Sequence, residues 1–357
     1  MITMADATKI KWTHRPGTKG CTLNPIRALN KKTEMRGWYC EKVCEACRFC
    51  YADALNTKAG DTGGTGLPYK PSMREFADIY LDEKTLQQPL HWRSPRTIFW
   101  SSMTDAFGPW VSEQWVLRMF AICALTPEHT HIFLTKRAQA MWEHLGIRPV
   151  REMLSLLAGP VHDIAIALKG REEGRNWARE ALKHWPLPNV WLGVTAGNQQ
   201  TADERIPLLL CTPAAIRFVS CEPMLGQIDL RKYLEWGSGG PPWLDWVICG
   251  GETGPKEKPI RPRHPLWVYD LHAQCEAASV PFFEKQQGEW ASLIDRAKDD
   301  PDWRANYKAM LDVPGTRVVN LEGGHGFHGE RVHIMRRVGK KAAGRLLDVQ
   351  QFPEARS

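Results

Sequence analysis

The sequence predicts an α/β fold: a partial or complete (β/α) barrel with an α-helical insertion and a C-terminal extension. Three observations carry this reading. Short apolar runs alternate with longer helix-like stretches over residues 1–289. The runs are continuously apolar, as in strands of a parallel sheet buried on both faces. Hydrogen-bonding or ionisable residues follow nearly every run, as at the C-terminal rim of a barrel. A doubly wound open sheet is the alternative.

Lys9-Ile-Lys-Trp12 reads as a first strand and Thr97-Ile-Phe-Trp100 as the second. Ser112 is the expected N-cap of a helix that runs to Leu125. His131–Leu134 and Asn189–Val194 are the next strands. Thr201-Ala-Asp-Glu204 has a capping-box pattern and is expected to open another helix. Ile216–Val219 and Leu244–Ile248 follow as strands. A helix over His264 to Ala278 places Trp267, Leu271 and Cys275 on one face, and Pro281–Phe283 is a last short strand. Residues 138–188 exceed what one helix needs and form the helical insertion. Residues 290–357 form the extension, helical in part from Asp300 to Leu311. Its tail is basic: Arg331 to Arg345 holds six Lys/Arg and no acid.

A chain of 357 residues holds one large domain or two ordinary ones. Its 43% hydrophobic and 24% charged residues are ordinary for a soluble globular protein. No eighteen-residue apolar stretch predicts a membrane span, and Met1–Lys9 lacks a signal core. A cytoplasmic location is expected, where thiols stay reduced and clustered cysteines serve as metal ligands. The net charge of +7 permits a polyanionic substrate without demanding one.

The densest chemistry is the run from Cys40 to Cys50, which holds Cys40, Cys44, Cys47 and Cys50. It contains Cys-x3-Cys-x2-Cys and also Cys-x6-Cys-x2-Cys. Either register leaves three thiolates on one loop, and three ligands on a cubane iron–sulfur cluster leave one iron open. A structural zinc and unligated thiols are the alternatives. Disulfides within so short a loop would be strained. Of the remaining cysteines, Cys123 and Cys275 read as small buried hydrophobes. Cys21 and Cys221 adjoin candidate site residues.

The residues after the strands assemble a second list. Ser102, Thr104 and Asp105 follow one strand, Lys136 and Arg137 the next, then Thr195 and Asn198, then Cys221 and Glu222. Gly250, Gly251 and Glu252 follow another, and Glu284 to Gln287 the last. Glycines at 250 and 251 let backbone approach a ligand closely. Glu222 and Glu252 suit an ammonium or ribose hydroxyls. Lys136 and Arg137 suit a carboxylate or phosphate. Cys221 is a candidate redox or hydrogen-donating thiol, with an inert buried cysteine as the bland reading.

These residues also carry a resemblance. Asn24-Pro25, Cys40-Glu-Lys-Val, Cys47-x-x-Cys50-Tyr51-Ala52, Ser102-Met-x-Asp105 and Leu134-Thr-Lys-Arg137 match a phage-associated family of uncharacterised, radical-SAM-like proteins. So do Trp191-Leu-Gly-Val194, Thr201–Leu210, Phe218-Val-Ser-Cys-Glu-Pro223, Trp246–Glu252 and Arg337–Asp348. The resemblance spans nearly the whole chain. It implies a barrel of the radical SAM type, a [4Fe–4S] cluster, S-adenosylmethionine and an external electron donor. The family's Cys-x6-Cys-x2-Cys falls on Cys40, Cys47 and Cys50. Cys44 stands where the family usually has serine and is the alternative ligand; Leu23 stands where a tryptophan is expected. The cofactor contacts expected on this basis are Ser102, Asp105, Thr195, Asn198, Gly250, Gly251 and Glu252. Lys136, Arg137, Cys221 and Glu222 are expected to serve substrate and catalysis. Cleavage of S-adenosylmethionine would give a 5′-deoxyadenosyl radical that abstracts hydrogen from the substrate. The basic tail leans towards a nucleic acid or nucleotide as that substrate. Two competing readings are a non-catalytic, zinc- or cluster-stabilised nucleic-acid-binding protein, and a barrel hydrolase using Asp105 with Glu222 or Glu252.

Overall fold

A computed structural model describes residues 8–58, 63–234 and 243–353. The N-terminal stretch read as lacking a signal core falls, over residues 1–7, outside them.

Strand β1 (Lys19–Leu23) opens the main sheet. β2 (Ile26–Asn30), β3 (Arg36–Gly37) and β4 (Ala77–Leu81) make a small antiparallel sheet, in the order β3-β2-β4. The main sheet resumes with β5 (Arg96–Trp100), β6 (Thr130–Thr135), β7 (Val190–Thr195), β8 (Ile216–Cys221), β9 (Trp246–Gly250) and β10 (Phe282–Gln286). Its order is β1-β5-β6-β7-β8-β9-β10, with every neighbour parallel. Sequential parallel strands joined by helical crossovers make a half barrel, the expected fold class at this level.

Two cores follow from the strand period of two. The inner face carries Phe99, Ile132, Trp191, Phe218, Trp246, Ile248 and Phe283 in one cluster. The outer face packs Ile98, Trp100, Phe133, Leu192, Val194, Val219 and Val247 against the helix layer. Ser112 caps the helix Glu113–Leu125 by accepting from the Trp115 amide. The insertion is three helices, Ala138–Leu145, Val150–Lys169 and Arg171–Ala181. His264 caps Pro265–Ala277.

Several elements differ from expectation. Lys9–Trp12 is not a strand: Lys11–Thr13 is a 3-10 turn, tightened by the Thr13 hydroxyl donating to the Ile10 carbonyl at 2.7 Å. It drives Trp12 into the barrel, edge-on to Phe99 at 4.8 Å. The helix expected to open at Thr201 begins at Gln199. Its capping box pairs Asn198 with Thr201, because the Asn198 side chain reaches the Thr201 amide first.

The extension is mainly β-structure. β11 (Trp290–Ala297), β12 (Thr316–Asn320) and β13 (Arg331–Arg337) form an antiparallel sheet, and the expected helix shrinks to Lys308–Leu311. The basic run is largely built in. Arg331 pairs with Asp295, Arg337 with Glu289 at 2.6 Å, and Arg345 with Asp348 at 3.4 Å. Residues 347–353 then lie along β10. The Glu284 amide donates to the Val349 carbonyl and the Gln351 amide to the Phe282 carbonyl. Phe352 packs on Trp246 and Phe283. The tail thus covers an exposed strand edge. Among the described residues no helix is long and apolar enough to cross a membrane.

Candidate metal and cofactor site at the barrel mouth

Alternation along the strands carries the inner face upward to its polar rim. Thr195, four residues beyond Trp191, and Ser220, two beyond Phe218, are buried there. Glu222, Gly250 and Lys285 form the next layer. Lys285 sits at a register shift between Glu284 and Gln286, and such a bulge re-aims a side chain. Its ammonium donates to both Glu222 carboxylate oxygens, at 2.7 and 3.0 Å. The pair crosses above β9. A Cβ at Gly250 would lie 3.0 Å from Glu222 Cδ, so glycine keeps this passage open. A Cβ at Gly251 would lie 2.1 Å from the Gln287 carbonyl oxygen, so glycine there lets the two loops touch.

The cysteine loop links β3 to the helix Tyr51–Thr57, within the crossover between β1 and β5. Side chains from three strand ends tie it across the mouth. The Thr104 hydroxyl donates to the Tyr39 carbonyl, and the Tyr51 hydroxyl donates to that of Ser102. Arg137 donates to the Glu41 carbonyl at 3.0 Å and pairs with Asp105 at 3.1 Å. Arg261 donates to the Glu45 carboxylate at 3.0 Å and carbonyl at 2.9 Å, while pairing with buried Glu252.

The expected site residues therefore separate by role. Asp105, Arg137 and Glu252 spend their charge on holding the loop. Asp105 also accepts from the Thr135 hydroxyl, the Lys136 amide and the Phe107 amide. Ser102 bonds Asn24, and Asn198 is the helix cap. Cys221 lies on the outer face of β8 in the sheet–helix core. Burial first, then Cys249 and Cys275, push its thiol well up. Cys221 thus stands apart from the mouth, because the alternation that turns Ser220 and Glu222 inward turns it outward.

The cysteines and Lys136 do converge. Burial works against the charge of Lys136, but Cys47, Cys50 and Cys44, with Asp105, hold its ammonium up. Burial pushes the Cys40 thiol up to about 12, with Asp105 adding to the shift. The neighbouring Cys44 and Cys47 thiols shift each other in opposite directions, Cys44 down to about 5 and Cys47 up. The nearby charge of Arg205 also lowers Cys44, while Arg205 itself donates to the Thr195 carbonyl at 2.6 Å. All four thiols are free of disulfides. Among the described residues no three His, Cys, Asp or Glu side chains are closed around a single metal-sized point. A cavity of about 580 Å³ lies elsewhere, bounded by Asp245, His272, Cys275, Phe282 and Phe352.

Arg205 and Arg261 were not singled out from sequence. Arg205 had a signal: it stands on the apolar helix face of Ala202, Ile206 and Leu209, where a buried charge needs a partner. Arg261 had none, because the loop residue that it holds, Glu45, lies across the fold.

The molecule is thus an α/β protein, a parallel half barrel with a four-cysteine loop across its C-terminal mouth. Residues 7–356 match the model of a protein family of unknown function (DUF5131), and the chain belongs to that family. No curated protein and no solved structure matches it.

Proposed function

We propose that the chain is a radical SAM enzyme. Cys40, Cys47 and Cys50 would hold a [4Fe–4S] cluster, and the strand ends would hold S-adenosylmethionine. The observation that carries this reading is the setting of the cysteine loop. It follows the first strand of a parallel half barrel and spans the mouth, with Lys136 among Cys44, Cys47 and Cys50.

The donor set fits the group. Soft thiolates suit iron–sulfur clusters, and three of them leave an iron for a further ligand. The thiols are near one another without being closed around a point, so side-chain rotation accompanies binding. Cys40 and Cys47, whose thiols are held up, release protons as metal enters. When bound, cluster and S-adenosylmethionine supply one-electron cleavage of a carbon–sulfur bond and hydrogen abstraction from the substrate.

The protein's own residues do the rest. Arg137 and Arg261 fix the loop over the mouth. Lys136 and Arg205 place positive charge beside the thiolates. Glu222 and Lys285 present a carboxylate and an ammonium on the inner face. Lys285, Lys11 and the exposed Lys340 gather beside Glu222. This gathering favours a phosphate-bearing substrate, a nucleotide or a nucleic acid.

The test is reductive cleavage of S-adenosylmethionine by anaerobically reconstituted protein under dithionite, read as 5′-deoxyadenosine. Release is expected from the wild type and from Cys44→Ser, and none from Cys40→Ser, Cys47→Ser or Cys50→Ser. No release from a fully loaded wild type overturns the reading. Loss of the cluster in Cys44→Ser overturns the choice of ligands.

A further inference from the structure

The C-terminal sheet holds a second arrangement of reactive groups, independent of the cysteine loop. Ser292 and Asp295 lie three apart on β11, a spacing that puts side chains on opposite faces of a regular strand. The register against β13 shifts between Ser292 and Ile294, so Leu293 is an extra residue without a cross-strand partner. This bulge returns Ser292 and Asp295 to the face occupied by His333 of β13, and bulges are over-represented beside active sites. Ser292 Oγ lies 2.7 Å from His333 Nδ1. His333 Nε2 lies 3.2 Å from Asp295 Oδ1. The ring is tilted off the line of a full hydrogen bond, and Nε2 bonds no other group. Such contacts are often loose before substrate binds. Arg331 grips the Asp295 carboxylate with two nitrogens and holds it ionised. His333 is buried against His264, with ring centres 4.6 Å apart, and burial keeps it neutral. Ser292 is exposed.

We propose that Ser292 is a nucleophile, with His333 as its general base and Asp295 as the group that orients the base, forming a site for acyl transfer from small activated esters. A nucleophile bonded to a base that is oriented by a third group is the recurring signature of such sites. The two imidazole nitrogens exchange places relative to the usual serine hydrolase, and either can take the proton. In the first step Ser292 Oγ bonds to the acyl carbon while its proton passes to His333 Nδ1. The ester's carbon–oxygen bond then breaks, and the departing alkoxide takes that proton. Water cleaves the acyl-serine by the same route in reverse.

The experiment treats the full chain with a fluorophosphonate probe and maps the label by peptide mass spectrometry, beside a p-nitrophenyl acetate assay. Label is expected on Ser292. It should disappear in Ser292→Ala and slow by about 100-fold in His333→Gln. Both activities should be the same in protein prepared with and without iron, which separates this site from the cysteine loop. An unlabelled Ser292, or a rate unchanged in His333→Gln, overturns the proposal. Ser292→Cys guards against misfolding of the His333 variant. Its thiol should react with iodoacetamide about 10-fold faster than exposed Cys211 in the same molecule. An equal or slower rate contradicts activation by His333.

Discussion

Glu222 and Lys285 meet at 2.7 Å although a whole strand separates them, because Gly250 of that strand has no side chain to stand between them. Gly250→Ala should therefore disturb the pair while sparing the fold. The new Cβ would press on the mobile end of Glu222, a cost of about 1 kcal/mol. Gly251→Ala meets backbone, at 2.1 Å from the Gln287 carbonyl oxygen, and should cost about 3 kcal/mol. Thermal melts with calorimetric titration of S-adenosylmethionine separate the two. Gly250→Ala is expected to weaken binding with a near-normal melt, and Gly251→Ala to lower the melt itself.

Arg263 and Glu284 are a fully buried ion pair at 2.6 Å. Glu284 also accepts from the Leu347 amide, so the pair anchors the tail that covers β10. Glu284→Ala leaves Arg263 charged without its carboxylate and should cost about 3–5 kcal/mol in urea denaturation. It should also make residues 345–353 sensitive to protease. A loss under 1 kcal/mol would show that Gln287, which also accepts from Arg263, is sufficient alone.

Arg261 joins Glu252 to the cysteine loop through Glu45. Arg261→Ala should raise hydrogen exchange over residues 41–50 and lower iron retained on reconstitution. Arg261→Lys should not restore either, because one ammonium cannot replace the planar fork that serves both partners. Unchanged exchange would mean that Arg137 and Thr104 hold the loop unaided.

Stability should fall on mild acidification. Burial pushes His131 and His264 down to about 3 in the folded chain. Their unfolded value is near 6.5, so the unfolded chain takes up protons first as pH drops. The stabilisation is complete above that value and is lost below it, by roughly 2 kcal/mol per residue between pH 6.5 and 5. Urea midpoints at pH 7.5 and 5 check this, and equal midpoints would contradict it.

What could be read from the sequence was what is encoded locally. β5 to β9 are short, mainly apolar runs, and the Ser112 and His264 caps sit directly before their helices. β1 was missed because Lys19-Gly-Cys-Thr-Leu23 is short and contains glycine, while apolar Ile10 and Trp12 imitated a strand. β13 was read as a basic tail because its acids, Asp295 and Glu289, are more than thirty residues away. Sequence separation also hid how Arg137 reaches Asp105 and Glu41, and how Arg261 reaches Glu45. The thiols of the cysteine loop were plain from spacing, whereas Asp105–Arg137 and Glu252–Arg261 serve the loop through pairings that only the fold creates.

The most direct test of the central claim is the metal content of the chain purified without oxygen. A brown protein with about four irons and four sulfides per chain is predicted. A colourless protein with one zinc and no iron would contradict it.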